Sequence, residues 1–306
     1  MRLAQSFSRL GTETAFEVLA RARALEAQGR KIIHLEIGEP DFDTPANISN
    51  AAKKAIDAGY THYGPSAGLP ETRKAIAEYV SKTRGVAYSP EETIIVPGGK
   101  PIIFFTILAL VEPGDEVIYP NPGFPIYESM IQYVGGKPVP LPIREDREWD
   151  FDPAEFEKLL TSKTKLVILN SPANPTGGVM TADTMERVVK ALAKFPDAVL
   201  LSDEIYSRIV YEGKHLSPLS APGMKERTIL LDGFSKTWAM TGWRLGYGAG
   251  PKWLIDAIAK LATNNHSCVP AFSQFAAIEA LNGPQDSVTA MLAEFKTRRD
   301  VIVKGL

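Results

Sequence analysis

Between residues 45 and 285 the chain alternates two kinds of segment, and this alternation restricts the possible folds more than any other feature. Short apolar runs near residue 93 and at 115–119, 165–169, 198–201, 228–231 and 245–249 are separated by longer stretches of helical pattern. Those lie at 45–58, 69–84, 100–111, 122–133, 182–194 and 252–262. A strand as continuously apolar as Leu166-Val167-Ile168-Leu169 must be covered on both faces, and intervening helices let successive strands run parallel. The pattern predicts an α/β fold of three layers, with a mostly parallel mixed sheet between helices. The run at 245–249 follows 228–231 too closely for a parallel crossover, so it is expected to be antiparallel or to sit elsewhere in the sheet. Its glycines Gly246, Gly248 and Gly250 imitate a dinucleotide fingerprint, but they lie within the strand instead of between a strand and a helix.

Three of these strands end on polar side chains. The run at 228–231 leads into Gly233-Phe234-Ser235-Lys236, eight residues before Arg244, and delivers an amine to the sheet edge. Such an amine can form a Schiff base with an aldehyde. The run at 198–201 leads into Ser202-Asp203-Glu204-Ile205-Tyr206. A carboxylate there can hold a pyridine nitrogen protonated, because an opposite charge in contact favours the charged form. A phenol three residues on can donate to a ring oxygen. The run at 166–169 leads into Asn170-Ser171-Pro172-Ala173-Asn174-Pro175-Thr176-Gly177, a turn with a second amide near its tip. Taken singly, each has a plainer reading: a loop lysine, a strand-end acid, a turn asparagine. Together they face the edge where open α/β sheets bind ligands.

Ser235-Lys236 with Arg244, Ser202 to Tyr206, and Asn174-Pro175-Thr176-Gly177 resemble the class I/II aminotransferases, pyridoxal 5'-phosphate (PLP) enzymes of fold type I. The resemblance starts near Ile37-Gly38-Glu39-Pro40-Asp41-Phe42 and continues in the family's order to the end of the chain. It implies that Lys236 holds PLP as a Schiff base and moves the proton in a 1,3-shift between substrate and cofactor carbons. By the same resemblance Asp203 faces the pyridinium, and Tyr206 and Asn174 bond the ring oxygen. Arg244 and Ser235 would bind phosphate, although Gly233 stands where many relatives have a further hydroxyl. Pro97-Gly98-Gly99-Lys100 turns into a helix, so the amides of Gly99 and Lys100 would complete the phosphate site. Phe124 would stack on the ring, and Gly38 and Asn174 would meet the substrate. Tyr63 resembles the tyrosine that reaches a neighbouring subunit's phosphate, which implies a homodimer with shared active sites.

The implied reaction moves an amino group between an L-amino acid and a 2-oxo acid. A PLP-dependent C–S lyase on the same fold is the alternative within enzymes, and a non-catalytic PLP-binding module the alternative outside them. Family members continue into a small C-terminal domain with an arginine for the substrate α-carboxylate, whereas this sequence ends at Leu306 after a helical pattern bearing Met291, Phe295 and Ile302 on one face. The expected organisation is an N-terminal arm and small-domain segment at 1–45, a large PLP-binding domain at 46–285, and the start of a connecting helix at 286–306, leaving the small domain incomplete.

A formal net charge of −2 over 306 residues provides no field to recruit nucleic acid or a membrane surface. The lone Cys268 precludes an intrachain disulfide and suits a reducing compartment. His34, His62, His215 and His266 have no zinc-like spacing, so no metal is expected. No apolar run approaches the roughly 20 residues of a membrane helix, and the first residues lack a signal-peptide core, which points to the cytoplasm.

Overall fold

The computed structural model describes residues 1–306. Eight strands form a single sheet: β1 (Thr93–Val96), β2 (Glu116–Asn121), β3 (Lys137–Arg144), β4 (Asp150–Phe151), β5 (Thr164–Asn170), β6 (Val199–Asp203), β7 (Thr228–Gly233) and β8 (Gly246–Ala249). Their order is β1-β8-β7-β6-β5-β2-β3-β4. The run from β7 to β3 is parallel throughout, whereas β8 is antiparallel to both β7 and β1, and β4 to β3. The mixed, mostly parallel sheet and the reversed β8 agree with the alternation of the sequence.

Ten helices accompany the sheet: α1 (Ala15–Glu26), α2 (Ala46–Asp57), α3 (Pro70–Arg84), α4 (Lys100–Leu110), α5 (Ile126–Val134), α6 (Pro153–Leu159), α7 (Ala182–Leu192), α8 (Lys252–Asn265), α9 (Ala271–Asn282) and α10 (Asp286–Gly305). Because side chains alternate along a strand, each strand divides its residues between two cores. Ile94, Val96, Leu166, Ile168, Ile229 and Leu231 join the core under α4, α5 and α8. On the other face Ile95 and Leu230 pack with α2, α3 and α9, while Val167, Leu169 and Leu200 pack with α6 and α7. No helix is long and apolar enough to cross a membrane.

Two departures from the sequence pattern have local causes. The helix expected from residue 122 starts at Ile126, because β2 continues through Asn121 and the next residues make a turn. Strand β3, with Pro138, Pro140 and Pro142, is absent from the pattern reading, since proline cannot donate in a ladder. The prolines occupy alternate positions, and Lys137 N–H donates to Asp115 O at 2.8 Å. The odd-numbered residues therefore face β2, while the prolines face the side that β4 covers only at Ile143 and Arg144. On α10, Met291 is buried and Phe295 meets Phe42 edge-on, with ring centroids 5.2 Å apart. Ile302 is exposed.

Candidate active site

Parallel strands put their C-terminal ends on one edge, and the polar residues singled out above gather there. Asp203 closes β6, Asn170 closes the adjacent β5, and Lys236 lies three residues beyond β7. The Asn170 side chain ties β5 to its turn and to β6: Asn170 Oδ1 accepts from the Asn174 backbone N–H at 2.7 Å, and Asn170 Nδ2 donates to Asp203 O at 3.0 Å. One asparagine thus fixes the turn bearing Asn174 against the end of β6. Lys236 Nζ donates to the Gly38 carbonyl, bringing the N-terminal segment to the sheet edge. Burial lowers the Lys236 amine below the ordinary lysine range; Glu39 opposes the shift, Arg244 adds to it, and Glu13 opposes it. A lowered pKa raises the fraction of free amine, the nucleophilic form.

Asp203 is only 4% exposed and accepts from the Tyr127 hydroxyl at 2.6 Å and the Ile205 N–H at 3.3 Å, but it pairs with no cation. Burial pushes its carboxyl up to about 6, against the hydrogen bonds from Tyr127 and Ile205. Since the folded value is raised, the stabilising contribution of this group is complete below its unfolded pKa and is lost as pH rises through about 6. At neutral pH the site holds a buried anion that lacks a counter-charge. Tyr206 sits beside it; burial first, then the Asp203 charge, pushes the phenol up to about 12, so it remains a donor.

The neighbouring acids are treated differently. Arg84 from α3 donates through Nε to Glu204 Oε2 and through Nη2 to Asp232 Oδ2, both at 2.8 Å. Glu204 also accepts from Ser202, Ser217 and His215. Burial alone would raise the Glu204 carboxyl, but Arg84 and then His215 overcome this and bring it down to about 2. Of the three buried acids at the ends of β6 and β7, Asp203 alone has been left without a cation.

A second feature is a shallow cradle after β1. Gly98 has φ +82°, and a Cβ built on it would lie 2.2 Å from Arg244 Nη2, so the guanidinium rests directly over the glycine backbone. A Cβ on Gly246 would meet Gly98 C and Gly99 N at 2.5 Å, so the antiparallel β8 can approach only because it carries no side chain there. Gly99 caps α4, so that helix starts at the same cradle, and a helix start carries unpaired backbone amides. Arg244 is itself left-handed at φ 54° and donates to Thr241 O at 2.8 Å.

The other predicted residues are placed as follows. Ser235 is half-buried beside Lys236. Phe124 follows β2, with its ring 5.8 Å from that of Tyr127. Lys100 starts α4 and pairs with Glu13 at 2.9 Å. Tyr63 is separate, 93% exposed. Sequence reasoning missed Tyr127, Arg84 and Glu13, all of which act through contacts distant in the chain; a tyrosine within the motif-bearing stretch 121–127 was the one available signal.

A sequence model of the aminotransferase class I and II family matches residues 30–306. The chain belongs to the class I and II aminotransferases. It is 41% identical to a probable aspartate/prephenate aminotransferase of Rhizobium leguminosarum bv. phaseoli, over 99% of this chain and 76% of that protein. It superposes on the aspartate aminotransferase of Rhizobium meliloti with a TM-score of 0.95 at 38% identity, covering 100% of this chain and 77% of that one. For an aromatic aminotransferase from Pyrococcus horikoshii OT3 the TM-score is 0.86 at 40% identity, covering 92% and 76%. The chain thus spans about three quarters of the length of these relatives.

As a member of this family the aminotransferase is a PLP-dependent enzyme, and its residues fit that cofactor. The buried Asp203 anion without a counter-charge suits a protonated ring nitrogen, and the side-chain-free cradle under Arg244 suits a phosphate. Gly98→Ala should weaken PLP binding at least about tenfold, because left-handed backbone costs an L-residue about 1–3 kcal/mol and the methyl would displace Arg244. A spectrophotometric titration of the cofactor-free protein with PLP reads the change; an unaltered dissociation constant would place the phosphate elsewhere.

Proposed function

We propose that the aminotransferase exchanges an amino group between an L-amino acid and a 2-oxo acid, with Lys236 as its acid and base. The reading rests on one observation: an amine of lowered pKa and a buried, cation-free carboxylate stand on the ends of adjacent strands at one sheet edge. Asp203 would hold the ring nitrogen in its charged form. Tyr206 and Asn174 would donate to the ring oxygen, and Phe124 would flank the ring. Arg244, Ser235 and the amides of Gly99 and Lys100 would take the phosphate. Bound PLP supplies a sink for the electron pair left on the substrate α-carbon. Lys236 would remove the proton from the substrate α-carbon and deliver it, in the 1,3-shift, to the cofactor carbon. Gly38 and Asn174 would border the substrate. The exposed phenol of Tyr63 supports a role at the phosphate of a second subunit, and hence a homodimer with shared sites; a cytoplasmic location, which suits the lone Cys268, belongs to the same proposal. The division of the chain at residues 45 and 285 belongs to the same proposal.

Mixing the PLP-loaded protein with single amino acids tests the reaction. Transfer leaves the cofactor as pyridoxamine phosphate and releases a 2-oxo acid without ammonia, whereas release of ammonia with pyruvate would establish the C–S lyase instead. Asp203→Asn should slow the half-reaction by about tenfold to a thousandfold, since an amide cannot supply the roughly one to three pKa units that an opposite charge provides. A half-reaction as fast as that of the unaltered protein would reduce Asp203 to a strand-end residue.

A further inference from the structure

We propose that Glu13 closes the site to a second carboxylate by occupying Lys100, and thereby directs the enzyme to amino acids with uncharged, foremost aromatic, side chains. The proposal rests on the aminotransferase reading and specifies its substrate class. Lys100 starts α4 immediately behind the Gly98-Gly99 cradle. Its ammonium lies 2.9 Å from a Glu13 oxygen, 5.8 Å from the centroid of Phe16 and 5.5 Å from that of Phe124. The Glu13 side chain is 14% exposed and that of Lys100 41%, and Lys100 adjoins both the cradle and Phe124, so this group of residues borders the candidate site.

A dicarboxylic substrate needs one cation beyond whatever holds its α-carboxylate. Arg244 is placed over Gly98, and the next cation beside the cradle is Lys100, whose ammonium stands by Phe124. That ammonium already has a carboxylate and two aromatic faces around it. A second carboxylate arriving there would stand beside the Glu13 anion, where partial burial strengthens like-charge repulsion. Displacing Glu13 would instead leave a desolvated carboxylate without its partner, which is costly. An uncharged ring meets neither obstacle and finds Phe16 and Phe124 as packing surfaces. The names of relatives include aspartate, prephenate and aromatic substrates, so they do not decide the matter. The Glu13–Lys100 pair favours the last of these.

Calorimetric titration of the PLP-loaded protein with succinate and with 3-phenylpropionate separates the possibilities, since the two share a first carboxylate and only succinate carries a second. We expect 3-phenylpropionate to bind at least about tenfold tighter, equivalent to about 1.4 kcal/mol. Glu13→Gln, and Glu13→Ala as a second variant, should move the ratio of the two dissociation constants at least about tenfold toward succinate. Succinate binding as tightly as 3-phenylpropionate to the unaltered protein, or a smaller movement of the ratio in both variants, would overturn the proposal. Half-reaction rates with phenylalanine and aspartate are measured alongside. Failure of every amino acid to transfer its amino group would refute the aminotransferase reading, while the binding ratio still decides the role of Glu13.

Discussion

Lys236→Ala should yield a folded protein with no covalently held cofactor and a half-reaction slowed by at least about a thousandfold. The expectation of intact folding follows from the surroundings: the amine makes a single hydrogen bond, to the Gly38 carbonyl, and burial already disfavours its charged form. Removing it relieves a desolvated cation instead of breaking a network, so the melting temperature should change by no more than a few degrees. The kinetic loss follows from the chemistry, because a positioned acid/base contributes about 10²–10⁴ on its own, and loss of the covalent attachment removes a further preorganised contact. Borohydride reduction followed by peptide mass analysis should find cofactor on Lys236 of the unaltered protein and on no other lysine. Attachment at Lys100, whose amine stands beside Phe124, would refute the assignment, as would a variant within tenfold of the original rate.

What the sequence made legible here was the frame. Strands such as β5 and β6 are buried on both faces and therefore read as continuous apolar runs. Lys236, Asp203 and Asn174 could be singled out because strand ends and turn tips are where a parallel sheet must expose its chemistry. β3 stayed hidden because its prolines are permitted only by an open side, and openness belongs to the assembled sheet. α9 buries Ala271, Ala276, Ala277, Ala280 and Leu281 around much of its circumference, so it shows no single apolar stripe. The groups that tune the site were illegible for another reason. Tyr127 lies 76 positions from Asp203, and Arg84 lies 120 from Glu204 and 148 from Asp232. Such contacts obey no local period, and only the folded chain brings them together.

Arg84→Met should destabilise the protein by about 3–5 kcal/mol at neutral pH, because removing one member of a buried ionic cluster leaves its partners charged and desolvated. Here two partners are stranded: Glu204 and Asp232 have side chains 1% and 4% exposed, and Arg84 is the cation shared between them. Methionine fills much of the volume, so the loss reports charge more than cavity. Adding Glu204→Gln and Asp232→Asn to the same chain should recover much of the stability, since an uncharged buried group of similar shape has less to lose than a lone ion. The acid limb provides an independent check. The Glu204 pKa is depressed in the folded state, to about 2, so its contribution is present above the unfolded carboxylate value and is lost as pH falls toward about 2. Without Arg84 the carboxyl should protonate at higher pH, and the difference in stability between variant and parent should shrink as both are acidified. Urea denaturation at several pH values measures this directly. A loss below about 1 kcal/mol at neutral pH would show the cluster to be no better than a surface ion pair. In that case the ends of β6 and β7, which carry Asp203 and lead to Lys236, must be held by backbone pairing alone.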